Sequence, residues 1–228
     1  MYKALMTEDM KPWRDLLMIH EFAVQEILTK LQILDEEFRV LHDYNPIEHI
    51  RHRIKKPNNI VEKLERLGLE PTIENAKDNI FDIAGIRIIC AFQADIYNVV
   101  EMLKQHTDVE VIQIKDYIKN PKPNGYMSLH MHVNIPVYLS SGTMKTRVEI
   151  QIRTVAMDFW ASIEHKIYYK YRNKAPVSIQ EELKECADII AMLDERMFNL
   201  KRNIIELEEK SQEEAQMSVG YPREKEYY

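Results

Sequence analysis

Apolar residues recur at helical spacing over 11–42, where Leu16, Leu17, Ile19, Phe22, Ile27, Leu31, Leu34, Phe38 and Leu41 form one stripe. This stripe predicts a long helix. Asn45-Pro46 interrupts it, and the spacing beyond predicts a short helix through 47–54. Pro57 breaks the chain again. Asn58 or Asn59 can cap a following helix that ends at Gly68. A helix over 73–80 then leads into a strand over 85–92, and a helix over 94–106 turns Ile96, Val99, Val100 and Leu103 inward.

The period changes from there on. A strand over 109–116 sets Val109, Val111 and Gln113 against polar neighbours. Lys-Asn-Pro-Lys-Pro-Asn-Gly (119–125) reads as a loop. Residues 127–136 alternate cleanly, with Leu129, Met131, Val133 and Ile135 on one face and Ser128, His130, His132 and Asn134 on the other. After a turn at 140–142, residues 146–153 alternate again: Val148, Ile150 and Ile152 inward, Glu149, Gln151 and Arg153 opposite. Helices over 155–172 and about 178–210 close the pattern, and the segment 213–228 reads as a disordered tail. Trp160, Tyr168, Tyr169 and Tyr171 read as packing residues of the first of these helices. The order of elements predicts an α+β fold.

Composition narrows the function classes. The chain of 228 residues can bury a substantial core, as one large domain or a domain with helical arms. No apolar run approaches the roughly 20 residues that span a bilayer. Two distant cysteines, Cys90 and Cys186, point to a reducing cytoplasm. A formal charge of −6 argues against a protein that binds long nucleic acids by bulk electrostatics; RNA binding stays open but nothing in the sequence indicates it. Locally the balance inverts: residues 51–66 hold Arg51, Arg53, Lys55, Lys56, Lys63 and Arg66 against Glu62 and Glu65. Such an excess suits a small anion. The five glycines form no phosphate-cradling loop motif, so Arg and Lys side chains, helped by a metal, must hold any phosphate.

The candidate chemistry lies between residues 82 and 153. Asp82 and Glu149 together read as a magnesium site, because magnesium takes one or two carboxylates and otherwise uses water and substrate phosphates. Arg87, Arg153, Lys115 and Lys122 can hold phosphates, and Tyr126 can stack on a base. Each piece has a plainer reading. The polar sheet face can simply meet water. Asp82 can be a turn aspartate, and Glu164-His165 can be structural. Two details favour a site. The face is made of His, Gln, Glu and Arg rather than Thr and Lys, and the loop delivers Tyr126 beside it. His130 and His132 lack further ligands for zinc. His42-Asp43 resembles the dyad of metal phosphohydrolases, but too little chain precedes it, and it reads as a surface pair.

These segments resemble a known family. Arg53-x-Lys55 with Lys63 downstream, Asp-Ile-Ala-Gly-Ile-Arg (82–87), Asn-Gly-Tyr-x-Ser-Leu-His (124–130), Val-Glu-Ile-Gln-Ile-Arg-Thr (148–154) and residues 159–170 resemble the RelA/SpoT-type synthetase domain. The absence of further domains makes the chain similar to the small alarmone synthetases, and Asn-Pro-Ile-Glu-His (45–49) resembles the RelP- or YwaC-like type. The resemblance implies a nucleotidyltransferase-like mixed sheet flanked by helices. It places a helical extension at 1–44, the synthetase domain at 45–175 and a helical segment at 176–212. It implies transfer of pyrophosphate from ATP to the 3′-hydroxyl of GDP or GTP with AMP released, magnesium as cofactor, and a homotetramer. By position, Arg53, Lys55, Asn59, Lys63 and Arg87 would hold ATP. Asp82 and Glu149 would hold metal, and Glu149 would share it or activate the hydroxyl. Lys115, Lys122, Tyr126, His130 and Gln151 would hold the guanine nucleotide. Two positions depart from the pattern: Asn59 replaces Ser, and Met127 replaces Arg or Gln, which removes a possible phosphate donor.

Two other readings remain at this level. A different nucleotidyltransferase would use the same sheet, but its usual Gly-Ser and Asp-x-Asp pair are missing. A non-catalytic guanine-nucleotide or RNA-binding regulator would not need Asp82 and Glu149. The released product separates the three.

Overall fold

The computed structural model describes residues 11–170 and 176–219. A five-stranded mixed sheet forms its centre, in the order β1-β2-β5-β4-β3. The strands are β1 (Ile47–Ile54), β2 (Ala84–Cys90), β3 (Glu110–Asp116), β4 (Leu129–Leu139) and β5 (Gly142–Thr154). Only the β2–β5 pair is parallel; the other three are antiparallel.

The segment 47–54 is a strand, not the expected helix. Ile47, Ile50 and Ile54 sit at i, i+3 and i+7, which mimics a helical stripe. The register shift between Ile47 and His49 explains the pattern. One extra residue in an edge strand lets Ile47 and Ile50 share a face despite their odd spacing. A second shift, between Val111 and Gln113, alters the phase of β3. Gln113 therefore does not share the face of Val111. It pairs with His132, and Lys115 pairs with His130, on the polar side of the sheet.

The apolar face of the sheet carries the main core. Ile86, Ile88, Met131, Val133, Val148, Ile150 and Ile152 are all buried against α1 (Lys11–Leu41) and α4 (Gln93–Gln105). The helix expected at the N-terminus thus lies across the sheet itself, with Ala23, Val24, Ile27 and Leu31 fully covered. A smaller cluster joins the start of α1 to α2 (Pro57–Arg66) and α3 (Ile73–Asn79) through Leu16, Leu17, Ile60 and Leu64. Neither Asn58 nor Asn59 caps α2. Lys56 takes the N-cap and Pro57 the first turn, where proline's missing N–H has no cost. Thr72 caps α3 by accepting from the Asn75 N–H.

The helix after β5 packs on β5 and β2, and the last helix packs on it and on α4. Thr154 ends β5 and caps α5 (Val155–Lys170), its hydroxyl accepting from the Met157 N–H. The same hydroxyl donates to Asp194 of α6 (Val177–Val219), whose carboxyl is pushed up by burial. Trp160 is buried between the two helices and donates from its indole to the Leu183 carbonyl at 2.8 Å. The side chains of Tyr168, Tyr169 and Tyr171 lie outside the described set. Helix α6 runs on to Val219, beyond the boundary at 212 where the tail was expected to begin. Ser211 to Met217 contains Glu, Gln and Ala, which favour helix. Residues 220–228 of that expected tail lie outside the described residues.

Candidate active site

Strand pairing arranges the polar face in two rows. One row runs Arg51, Arg87, Gln151, His130, Lys115; the next runs Arg53, Gly85, Glu149, His132, Gln113. Residues distant in sequence become neighbours because β2 pairs with β5, a connection of more than fifty residues. The face does not simply meet water. Ser128 is 0%, Arg153 4%, His132 5%, Glu149 8% and His130 9% exposed.

Three cavities open on this face. The first, of about 190 Å³, is lined by Arg51, Arg53, Gly85, Arg87, Glu149 and Gln151, among others. The second, of about 510 Å³, contains Lys63, Asp82, Lys115, Lys122, Tyr126, His130, Glu149 and Gln151. The third, of about 450 Å³, joins Arg53 and Arg87 to Tyr126, Arg153 and α5 residues Ala161 and Glu164. Glu149 borders the first two, and Gln151 borders all three.

Glu149 is held on both oxygens. Oε1 accepts from His130 Nδ1 at 3.0 Å, with His132 Nε2 at 3.5 Å, and Oε2 accepts from Gln151 Nε2 at 3.0 Å. Burial alone would favour the neutral acid. The hydrogen bonds from His130, His132 and Gln151 outweigh it and hold the carboxyl well below the usual range. Burial pushes His130 in the other direction, toward neutral imidazole, against the pull of Glu149. A neutral ring with its proton on Nδ1 leaves Nε2 free to accept from the Tyr126 hydroxyl at 2.8 Å.

Asp82 is held differently. Lys55 Nζ and Lys63 Nζ each lie 2.6 Å from one of its oxygens, and Arg53 approaches to 3.9 Å. Burial disfavours the charge, but the two lysines prevail and lower the carboxyl's pKa. Asp82 and Glu149 line one cavity. No cluster of three or more His, Cys, Asp or Glu able to hold a metal occurs among the described residues. The two carboxylates nevertheless suit magnesium, which needs few protein ligands.

Arg53, Lys63, Arg87, Lys115, Lys122, Tyr126, His130 and Gln151 all line these cavities, and Lys55 reaches the site through Asp82. Asn59 does not: it is exposed and lines none of the three. It lies one turn before Lys63 on α2, so it shares that face of the helix. Met127 belongs to the main core and lines none of the three cavities. Arg153 lines the third cavity and is already engaged. It donates to Ser128, Gln151, Asp158 and the Tyr126 hydroxyl. His42 and Asp43 are both exposed.

Sequence reasoning missed two residues. Asp158 accepts from Arg87 at 3.1 Å and Arg153 at 3.2 Å through the same oxygen. An acid in the first turn of the helix that follows Arg153 was the available signal. Tyr117 makes the wall of the second cavity with Tyr126, and Lys122 Nζ sits 4.7 Å from both ring centres. Glu164, left open between structural and functional readings, faces the second and third cavities and accepts from Asn124.

The motifs are thus assembled at one place. A family model described as a region found in RelA/SpoT proteins matches residues 52–174. The chain belongs to the RelA/SpoT family. It is 49% identical over 195 residues to the GTP pyrophosphokinase YwaC of Bacillus subtilis, covering 86% of this chain and 93% of that one. The small alarmone synthetase 2 of Bacillus subtilis superposes with a TM-score of 0.77 at 48% identity, over 84% of this chain and 98% of that one. The small alarmone synthetase 1 of the same organism, bound to its product pppGpp, superposes with a TM-score of 0.80 at 36% identity, over 85% and 98%. The α+β fold read from the pattern, and the mixed sheet flanked by helices that the resemblance implies, are those of the small alarmone synthetases, with long helices at each end.

Proposed function

We propose that this protein is a GTP pyrophosphokinase, an ATP:GTP 3′-diphosphotransferase. It moves the β,γ-pyrophosphate of ATP to the 3′-hydroxyl of GDP or GTP, making ppGpp or pppGpp and releasing AMP. The observation that carries this reading is the position of Glu149. One ionised carboxylate stands at the border between an arginine-lined cavity and a cavity lined by lysines, tyrosines and His130. Two nucleotides placed there would meet at Glu149.

Arg53 and Arg87 take the donor side, flanking adenine, with Lys55 and Lys63 on its phosphates and Asn59 at their edge. Lys55 and Lys63 have two partners to choose from, Asp82 and the ATP phosphates. As they turn to phosphate, both Asp82 oxygens lose their lysine partners. Asp82 and Glu149 would then hold Mg2+, which would supply neutralisation of phosphate charge and a more acidic 3′-hydroxyl. On the acceptor side, Tyr126 stacks on guanine, while Lys115, Lys122 and His130 approach the phosphates and Gln151 positions the nucleotide. Tyr126 is already tied by its hydroxyl to His130 and Arg153, so the stacking platform is set before substrate arrives.

Glu149 orients the 3′-hydroxyl toward the β-phosphorus. A carboxylate held this strongly ionised suits orientation and metal sharing better than storing a proton. Positioning and charge neutralisation carry most of phosphoryl-type transfer, and this site supplies both. No described helix is long and apolar enough to cross a membrane. A cytoplasmic homotetramer is the state proposed, with the exposed apolar residues of α6, such as Leu193, Met197, Leu200 and Ile204, available for subunit contact.

The test is a thin-layer assay with Mg2+, γ-labelled ATP and unlabelled GDP or GTP. Label in a more highly phosphorylated guanosine product, with AMP released in equal amount, supports the reading. Pyrophosphate release would indicate nucleotidyl transfer instead, and no transfer by folded protein would indicate a regulator.

A further inference from the structure

Asp158 lines none of the three cavities, yet it touches both halves of the site. Its Oδ1 accepts from Arg87 Nη1 on β2 and Arg153 Nη1 on β5. Arg87 lines the first and third cavities. Arg153 continues to the Tyr126 hydroxyl and to Gln151. Tyr126 leads to His130, and both His130 and Gln151 end on Glu149. One carboxylate oxygen therefore joins the arginine on the donor side to the chain of hydrogen bonds that orients the acceptor side.

The arrangement has a physical requirement. Two guanidinium groups close enough to share one oxygen repel each other in a partly buried place. Asp158, with its side chain 14% exposed, cancels that repulsion. A nucleotide that engages Arg87 alters the pull on Asp158, and hence the hold on Arg153, Tyr126 and Gln151. The first turn of α5 fixes the carboxylate, and Thr154 caps that turn while bound to Asp194 of α6. The linker thus sits on a rigid support.

We propose that Asp158 is a positioning residue that couples the donor and acceptor sites, so that occupancy of one sets the affinity of the other. The inference rests on the pyrophosphokinase reading.

The test uses the full chain and three binding measurements by calorimetry: α,β-methylene ATP alone, GDP alone, and GDP with the analogue saturating. In the unaltered protein the analogue is expected to change GDP affinity by about fivefold or more. In Asp158→Ala that factor is expected to fall to within about twofold of unity, with thermal unfolding still cooperative. Asp158→Asn keeps the shape, removes the charge, and is expected to lose most of the coupling. It serves as the decisive variant if the alanine form does not fold. A merely structural role would lower stability and leave the coupling factor in place. Coupling retained in Asp158→Asn, or absent from the unaltered protein, overturns the inference. Loss of coupling in a protein whose parent transfers no pyrophosphate leaves Asp158 as the link and removes the enzymatic reading; transfer with unchanged coupling does the reverse.

Discussion

His130 Nδ1 lies 3.0 Å from Glu149 Oε1 on the adjacent strand. The two residues are two register positions apart, since His130 pairs with Gln151 and His132 with Glu149. Their bond crosses the sheet diagonally and fixes the imidazole tautomer, which lets the Tyr126 hydroxyl donate to the other ring nitrogen. Protonation of His130 and orientation of Tyr126 are therefore linked.

Glu149→Gln removes the charge and keeps the shape. The amide oxygen can still accept from His130, and only the part-buried Gln151 contact is lost, so folding should survive. Synthesis is expected to fall by about 100- to 1,000-fold, the range for loss of one preorganised electrostatic contact at the reacting oxygen. Steady-state synthesis and circular dichroism check this together. Near-normal turnover would remove Glu149 from its role.

The acid side of the pH profile should belong to His130 and not to Glu149. Burial lowers the His130 pKa below its ordinary 6.5, so the ring is neutral at pH 7. Protonation at lower pH costs Nε2 its acceptor role. The unfolded chain takes that proton near 6.5 and the folded one resists it, so this contribution to stability is full above 6.5 and declines as pH falls toward the folded pKa. Glu149 stays ionised across the same interval. Both kcat/KM for GDP and thermal stability should hold level through neutral pH and decline below 6.5. A limb rising only above pH 7 would contradict the neutral His130.

Asp82 should bind metal poorly without nucleotide, because Lys55 and Lys63 occupy both oxygens. Free Mn2+, followed by electron paramagnetic resonance, should be taken up with α,β-methylene ATP present and much less in its absence. Lys63→Met frees one oxygen and should raise uptake by the protein alone. Asp82→Asn should lose uptake in both conditions. Equal uptake with and without the analogue would remove the lysine block.

Gly125 fixes the loop that carries Tyr126. Its φ is +87°, and an added Cβ would come 2.5 Å from the Ala187 Cβ on α6. Gly125→Ala should therefore cost about 1–2 kcal/mol for the backbone conformation alone, and should also displace Tyr126 and weaken GDP binding. Adding Ala187→Gly relieves the collision but not the backbone term, so it should restore GDP affinity more than stability. Equal recovery of both would contradict this division.

The polar face of β4 and β5 was legible in the sequence, because alternation at period two needs only local order. Val148, Ile150 and Ile152 had to face one way and Glu149, Gln151 and Arg153 the other. The loop ending at Gly125 and the turn ending at Gly142 belong to the same class of local signal. The bulge in β1 was not legible. It gives a strand the apolar spacing of a helix, and only pairing with β2 decides between them. The phase of β3 failed for the same reason beyond Val111. Nor could periodicity say that β2 lies parallel to β5. That long-range pairing brings Gly85 beside Glu149 and places Asp82 and Glu149 in one cavity. The sequence by itself determined which residues carry charge, which faces are apolar and which motifs recur in the family. Tertiary structure alone decided which charges meet. Asp82 lies between two lysines, Arg153 is tied to Tyr126, and Asp158 joins two arginines, because contacts between distant segments depend on strand order and register that no short stretch of chain contains.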